Sequence, residues 1–303
     1  MPPVKVAMAL RAGADQEVLA ANLAFHLRAG IDVIVVWADA GEHAASLAEG
    51  LQLDDRVRLA PSTATASSTA VRRWTADEVA ADWLIECDSR EFWWPRFRSI
   101  HDALAAVPPG FNAAQAVVRT LFATAAEGPF EERVTMRLSP RAPSLDEHWQ
   151  PLRRFAVRTD AIWSDPVDYD VLWGYYPFEV LRLTENGRAD PSEETRRALE
   201  LGVLLPDDRL QNVLRQLRTT PPEQSALSPK EPLAFPSPTP AEDAVFALEA
   251  AVLDDLELSL ARRQLDVISR RLATIERSRL LRAEAGLRRV RHWRRRKRAT
   301  GQE

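Results

Sequence analysis

Short apolar runs alternate with amphipathic stretches through the first 140 residues. Residues 4–10, apolar except for Lys5, read as a buried strand. Asp15 then suits a helix N-cap, with Val18, Leu19, Leu23 and Leu27 on one helical face and Gly30 as the stop. Residues 31–37 predict a second strand, 41–51 a short helix, and 57–59 a third strand. The small polar residues of 62–69 predict a loop, and residues 83–87 a further strand ending at Asp88. Strands interleaved with helices predict a mostly parallel sheet covered on both faces. From Asn112 the texture changes. Residues 114–122, 132–138, 154–158 and 179–183 read as strands without long helices between them, a mixed or antiparallel half completing the same domain. Two helices follow, at about 192–204 and 208–218.

The pattern then stops. Pro221, Pro222, Pro229, Pro232, Pro236, Pro238 and Pro240 cluster with Ser and Thr, the composition of a stiff extended linker. Residues 242–282 are strongly helical, and Leu258, Ala261, Leu265, Ile268, Leu272 and Ile275 keep heptad spacing, which offers a helix-mediated oligomer. The expected organisation is an α/β domain over 1–219, a linker over 220–241 and a helical segment with a basic end over 242–303.

Composition narrows the function classes. The 303 residues are 46% apolar, enough for a sizeable core. The single cysteine, Cys87, excludes an internal disulfide and a cysteine-cluster zinc site. Its place beside Asp88 suits a buried small hydrophobe better than a nucleophile. No apolar run is long enough to span a bilayer, and the N-terminus lacks a secretory pattern, so a cytoplasmic chain is expected. The five histidines show no metal-binding spacing, and neither a Gly-rich phosphate loop nor a Gly-x-Ser-x-Gly elbow occurs. The net charge of −4 hides an asymmetry: residues 261–303 carry 15 Lys/Arg against 4 Asp/Glu, and the remainder 25 against 40. An acidic body would repel a duplex, so no nucleic-acid partner is expected. The basic run 283–298, with Trp293 inside it, suits an anionic membrane surface and would put the chain peripherally at the inner face of the cell membrane. It could equally be a solvated end.

The densest chemistry lies in Asp88-Ser89-Arg90-Glu91-Phe92-Trp93-Trp94-Pro95. A strand that delivers acids to its carboxyl end puts them where open α/β sheets bind ligands. A carboxylate there can ligate Mg²⁺ or Mn²⁺, which would clamp a diphosphate. The aromatic run could wall a pocket. It could equally be core, with Asp88 capping a turn.

This block resembles the Asp-Ala-Asp-Glu-Phe-Trp block of bacterial family 2-like glycosyltransferases with a GT-A fold. Ala81-Asp82-Trp83-Leu84-Ile85 before it is similar to the strand that precedes the block in that family. Residues 22–32, Arg98–Leu104 and Val107–Phe111 fit the family's first helix and second strand, next helix and turn. The resemblance is close over about 4–139 and looser to about 185. It implies an α/β, GT-A-like mixed sheet flanked by helices and sugar transfer from a nucleotide-diphosphate sugar. A glycan or lipid-linked acceptor in bacterial surface-polysaccharide assembly is implied with it. It also implies site residues. Arg11 is what remains of the acidic pattern after the first strand, and Asp39 would meet the base or ribose. Asp88 and Glu91 would face the metal or diphosphate. Arg90 stands where the second aspartate belongs, so it can replace the metal by gripping the diphosphate. Asp168 or Asp170, in Val167-Asp168-Tyr169-Asp170-Val171, would be the catalytic base. The same departures suit two rivals: a nucleotide-sugar-binding or scaffold partner without turnover, and a membrane-surface adaptor.

Overall fold

The computed structural model describes residues 4–38, 55–61, 67–96, 99–123, 134–138, 153–162, 169–172, 175–183, 200–201 and 204–219, with separate positions between 233 and 270. Asp39, Asp168, the helix expected at 41–51, residues 192–199 and the basic run 283–298 lie outside the described residues.

Among the described residues are ten strands, in chain order β1 (Val6–Arg11), β2 (Val33–Trp37), β3 (Val57–Leu59), β4 (Trp83–Asp88), β5 (Glu91–Pro95), β6 (Ala113–Ala123), β7 (Val134–Leu138), β8 (Arg153–Arg158), β9 (Phe178–Leu183) and β10 (Leu204–Pro206). Four helices are described: α1 (Gln16–Ala29), α2 (Ser68–Val79), α3 (Ile100–Ala105) and α4 (Arg209–Thr219). The sheet runs β10-β7-β6-β8-β4-β1-β2-β3. Strands β3, β2, β1 and β4 are mutually parallel, β8 is antiparallel to β4, and β6 is antiparallel to β8. A further edge of β6 takes β9 in parallel, and β9 takes β5 antiparallel. This is the expected class at the level of architecture: an α/β mixed sheet flanked by helices.

The apolar strand runs bury both sheet faces. Val6, Met8, Leu10, Ile34, Trp83, Ile85 and Cys87 meet residues of α1, α3, α4 and β5 on one face. Ala7, Ala9, Val35, Trp37, Leu84 and Val157 meet Val71 and Val79 of α2 on the other. Helix α1 starts as expected, because Asp15 accepts hydrogen bonds from the backbone N–H groups of Glu17 and Val18. It stops at Gly30, whose φ of 104° is the left-handed conformation that glycine adopts freely.

Several elements differ from expectation. Residues 68–79 form α2, capped by Ser67, where the sequence reading ended a loop at 69 and assigned no helix. Leu204 opens strand β10 instead of closing a helix. The aromatic run is strand β5, and Phe92, Trp93 and Trp94 are 0%, 0% and 4% exposed, so they are core and wall no pocket. The compact first unit extends to Ala250. Leu233 and Phe235, within the segment expected as a linker, are buried in it. The second unit spans Ala251–Glu303; its described positions are helical, and Leu258 and Leu265 are exposed there. No described helix is long and apolar enough to cross a membrane.

Candidate functional site

Strand order places the site. The chain leaves β1 for β2 and β3 on one side, then returns to β4 on the other. The crevice outside the carboxyl ends of such strands is where open α/β sheets bind ligands. The register sets three residues side by side there, since Arg11 pairs with Trp37 across β1/β2 and with Asp88 across β1/β4. Odd positions of β1 and even positions of β4 share a face, so Arg11, Glu86 and Asp88 lie on the α2 side of the sheet. The Arg11 guanidinium carbon lies 5.7 Å from the centre of the Trp37 ring. The indole Nε1 of Trp37 is buried without a hydrogen-bond partner among the described residues.

Backbone contacts tie this edge together. Ser89 N–H donates to the Arg11 carbonyl at 2.9 Å, and Ala12 N–H to the Trp37 carbonyl at 2.7 Å. Gly13 N–H donates to Ser89 Oγ at 3.0 Å. A Cβ on Gly13 would sit 2.7 Å from that oxygen, so any other residue would turn the Ser89 hydroxyl aside and give up this contact. Below the turn, the Asn22 side-chain amide donates to the carbonyls of Ser89 and Glu91 at 2.9 and 2.8 Å. His26 accepts the Trp93 N–H on Nε2 at 3.0 Å, so its Nδ1 carries the proton toward Asn22 Oδ1 at 2.8 Å. Burial pushes the His26 pKa down to about 3, which keeps the ring neutral.

The acidic block divides into two separate pairs. Asp88 Oδ1 accepts from the backbone N–H of Arg90 at 3.0 Å and from its Nε at 3.2 Å, in a partly exposed pair. Glu91 is fully buried. Its Oε1 lies 2.6 Å from Arg154 Nη2 and its Oε2 3.2 Å from Arg154 Nε, with Arg182 Nε 3.7 Å from Oε1. Glu91 also accepts the Asp88 N–H at 3.3 Å. Its carboxylate is therefore shared between two guanidinium groups under the turn, and a metal would have to displace both. No group of three His, Cys, Asp or Glu suited to a metal occurs among the described residues. Asp88 and Glu91 thus do not fit a paired-carboxylate site for Mg²⁺ or Mn²⁺. Cys87 is buried beneath them, and burial together with Glu91 and Asp88 raises its pKa, so it is not a ready thiolate.

Asp170 is not brought to this edge. Its carbonyl accepts from Asn112 and Ala113, and its N–H donates to Asn112 Oδ1 at 2.9 Å. Ala113 pairs with Val157, which pairs with Leu84. That level lies four residues behind Asp88, roughly 13 Å along the strand.

Sequence reasoning missed a cleft on the α2 face. About 260 Å³ is enclosed by Arg72, Leu84, Glu86, Arg154, Phe155, Val157 and Tyr169. Arg72 Nη2 donates to Tyr169 Oη at 2.9 Å and to the Ile162 carbonyl at 3.1 Å, while its Nε lies 3.8 Å from Glu86 Oε2. Glu86 could have been found, since strand alternation puts it on the same face as Asp88. Nothing local marks Arg72 or Arg154.

No known family matches the chain, and no curated protein does. Solved structures do, at low identity. The 4-diphosphocytidyl-2C-methyl-D-erythritol synthase of Anaerococcus prevotii is 12% identical, over 64% of this chain and 95% of that one, with a TM-score of 0.33. TarS of S. aureus is 10% identical over 60% of this chain and 58% of that one, with a TM-score of 0.33. A manganese complex of Rv0371C from Mycobacterium tuberculosis is 14% identical over 65% and 99%, with a TM-score of 0.30.

Proposed function

We propose that the chain binds a nucleotide-diphosphate sugar at the carboxyl edge of β1, β2 and β4. There it transfers the sugar to a glycan or lipid-linked acceptor, in the manner of the family 2-like glycosyltransferases that residues 81–95 resemble. The observation that carries this reading is the register of Arg11, Trp37 and Asp88 at the point where strand order reverses. Arg11 and Arg90 bring two guanidinium groups to the edge. Such groups grip phosphate oxygens bidentately and would neutralise the charge that develops on a departing diphosphate. Asp88 would hold Arg90 in place for that task, since its Oδ1 meets both the backbone and the side chain of Arg90.

A second reading is nucleotide-sugar binding without turnover. The separation of Glu91 and Asp170 from the edge favours it, because neither is placed there to take a proton from an acceptor. Calorimetric titration of the full chain with UDP, GDP, CDP and dTDP, with Mn²⁺ or with EDTA, tests the binding. Binding of one of them should survive EDTA and weaken at least tenfold in Arg90→Ala, the scale of one charged hydrogen bond. Binding that vanishes in EDTA would return the diphosphate to a metal, and no binding would remove the nucleotide altogether. Release of free sugar from the matching donor then separates turnover from binding alone.

A further inference from the structure

We infer that the cleft between α2 and β8 is a saccharide subsite, the place of an uncharged sugar unit of the acceptor. This rests on the nucleotide-sugar reading above and names the acceptor class it leaves open. Position comes first. Glu86 lies two residues behind Asp88 on one sheet face, about 7 Å along the strand, so the Glu86 end of the cleft is the end nearer the carboxyl edge. Size comes second. A cavity of about 260 Å³ lies just under the range of roughly 300–1,000 Å³ typical of drug-sized ligands, and it suits one monosaccharide unit.

Chemistry decides between ligand classes. The floor is apolar, from Leu84, Val157 and Phe155, and Phe155 is held edge-on to Tyr169 with ring centres 5.5 Å apart. Above it Arg72, Tyr169 and Glu86 form a connected polar edge. A sugar ring has the matching character, with an apolar C–H face and a rim of hydroxyls that each donate and accept. Glu86 can only accept and Arg72 can only donate, so neighbouring hydroxyls can be met by opposite partners. Both guanidinium groups of the lining already face a carboxylate, Arg72 with Glu86 and Arg154 with Glu91, so neither is left as a dedicated grip for a phosphate. The Glu86 side chain is 44% exposed, so it is reachable from solvent.

The test uses the full chain and a panel of methyl glycosides of glucose, galactose, mannose, rhamnose and N-acetylglucosamine. Binding is read by saturation-transfer NMR and titration calorimetry. At least one glycoside should bind, and Glu86→Gln should weaken it about tenfold or more while leaving nucleoside-diphosphate affinity unchanged. Tyr169→Phe, which removes one hydroxyl and keeps the ring, should weaken it less. Nucleotide binding without any glycoside binding would overturn the subsite and leave the proposed function standing. Glycoside binding unchanged in both variants would overturn it too, by placing the sugar elsewhere. Glycoside binding lost in Glu86→Gln, in a chain that binds no nucleotide, would keep the subsite and sink the glycosyl-donor reading.

Discussion

Asp88 and Glu91 are three residues apart in sequence and carry the same functional group, yet the fold gives them different work. Asp88 ends β4 and shares a partly exposed pair with Arg90. Glu91 opens β5, is wholly buried, and faces Arg182 directly across the β5/β9 ladder while Arg154 grips it from β8. Removing one partner of a buried pair strands the other and costs about 3–5 kcal/mol, whereas an exposed pair is worth up to about 1 kcal/mol. Arg154 is 40% exposed, so water can compensate part of its loss and the lower end applies. Glu91→Gln should therefore cost about 3 kcal/mol in urea unfolding and leave the nucleotide-facing edge chemically unchanged. Asp88→Asn should cost less than about 1 kcal/mol and act on ligand binding instead. Equal losses of stability in the two variants would contradict this division. The sequence shows both acids and the arginine between them. It does not show that Arg154, 63 residues away, claims one of them. That contact exists only because β8 inserts between β4 and β6.

At the scale of elements, the stripe of α1 and the short apolar runs of β1, β2 and β4 made those elements legible. β5 was not, since three aromatics between Glu91 and Pro95 suit a pocket wall as well as a strand. α2 was not, since only Val71, Thr75 and Val79 are fully buried on its inner face and the rest is polar or small. The packing of α1 against β5 depends on a contact with a pH signature. His26 of α1 holds the Trp93 N–H of β5 while neutral, with a folded pKa of about 3 against 6.5 when unfolded. Below pH 6.5 the unfolded chain takes up a proton that the folded chain refuses, so stability falls as pH falls, by up to about 1.4 kcal/mol per unit. His101 acts in the opposite sense. Its hydrogen bond to Asp32 raises its pKa, so its contribution is full below 6.5 and is lost as pH rises through the raised value. The two windows meet near pH 6.5 and do not cancel below it. Denaturant unfolding at pH 6.5 and 5 should differ by roughly 2 kcal/mol, and His26→Gln should remove most of that difference while lowering stability throughout. An unchanged slope in the variant would mean that the ring is not the group that titrates.

The whole molecule depends on a segment that composition assigns to a linker. Proline clustering predicts an extended chain for 220–241 that holds no core of its own. Composition does not reveal that Leu233 and Phe235, two apart, are both docked and buried. Leu233 N–H donates to the Arg28 carbonyl at the end of α1. Phe235 packs edge-on against Trp94 and Phe25, with ring centres 5.0 and 5.9 Å away, so it closes the core over α1 and β5. Eleven residues on, Phe246 is buried under Arg96, whose guanidinium carbon lies 3.4 Å from the ring centre, and Asp243 pairs with the same arginine. Leu233, Phe235, Asp243 and Phe246 therefore belong energetically to the α/β unit. A true linker would tolerate Phe235→Ala within about 0.5 kcal/mol, as exposed sites do. A docked aromatic with 6% exposure should lose about 3 kcal/mol through its own burial and the cavity left against Trp94. Urea unfolding followed by tryptophan fluorescence separates these values. The same variant should become sensitive to proteolysis near 233, because Leu233 and Phe235 hold that stretch down together.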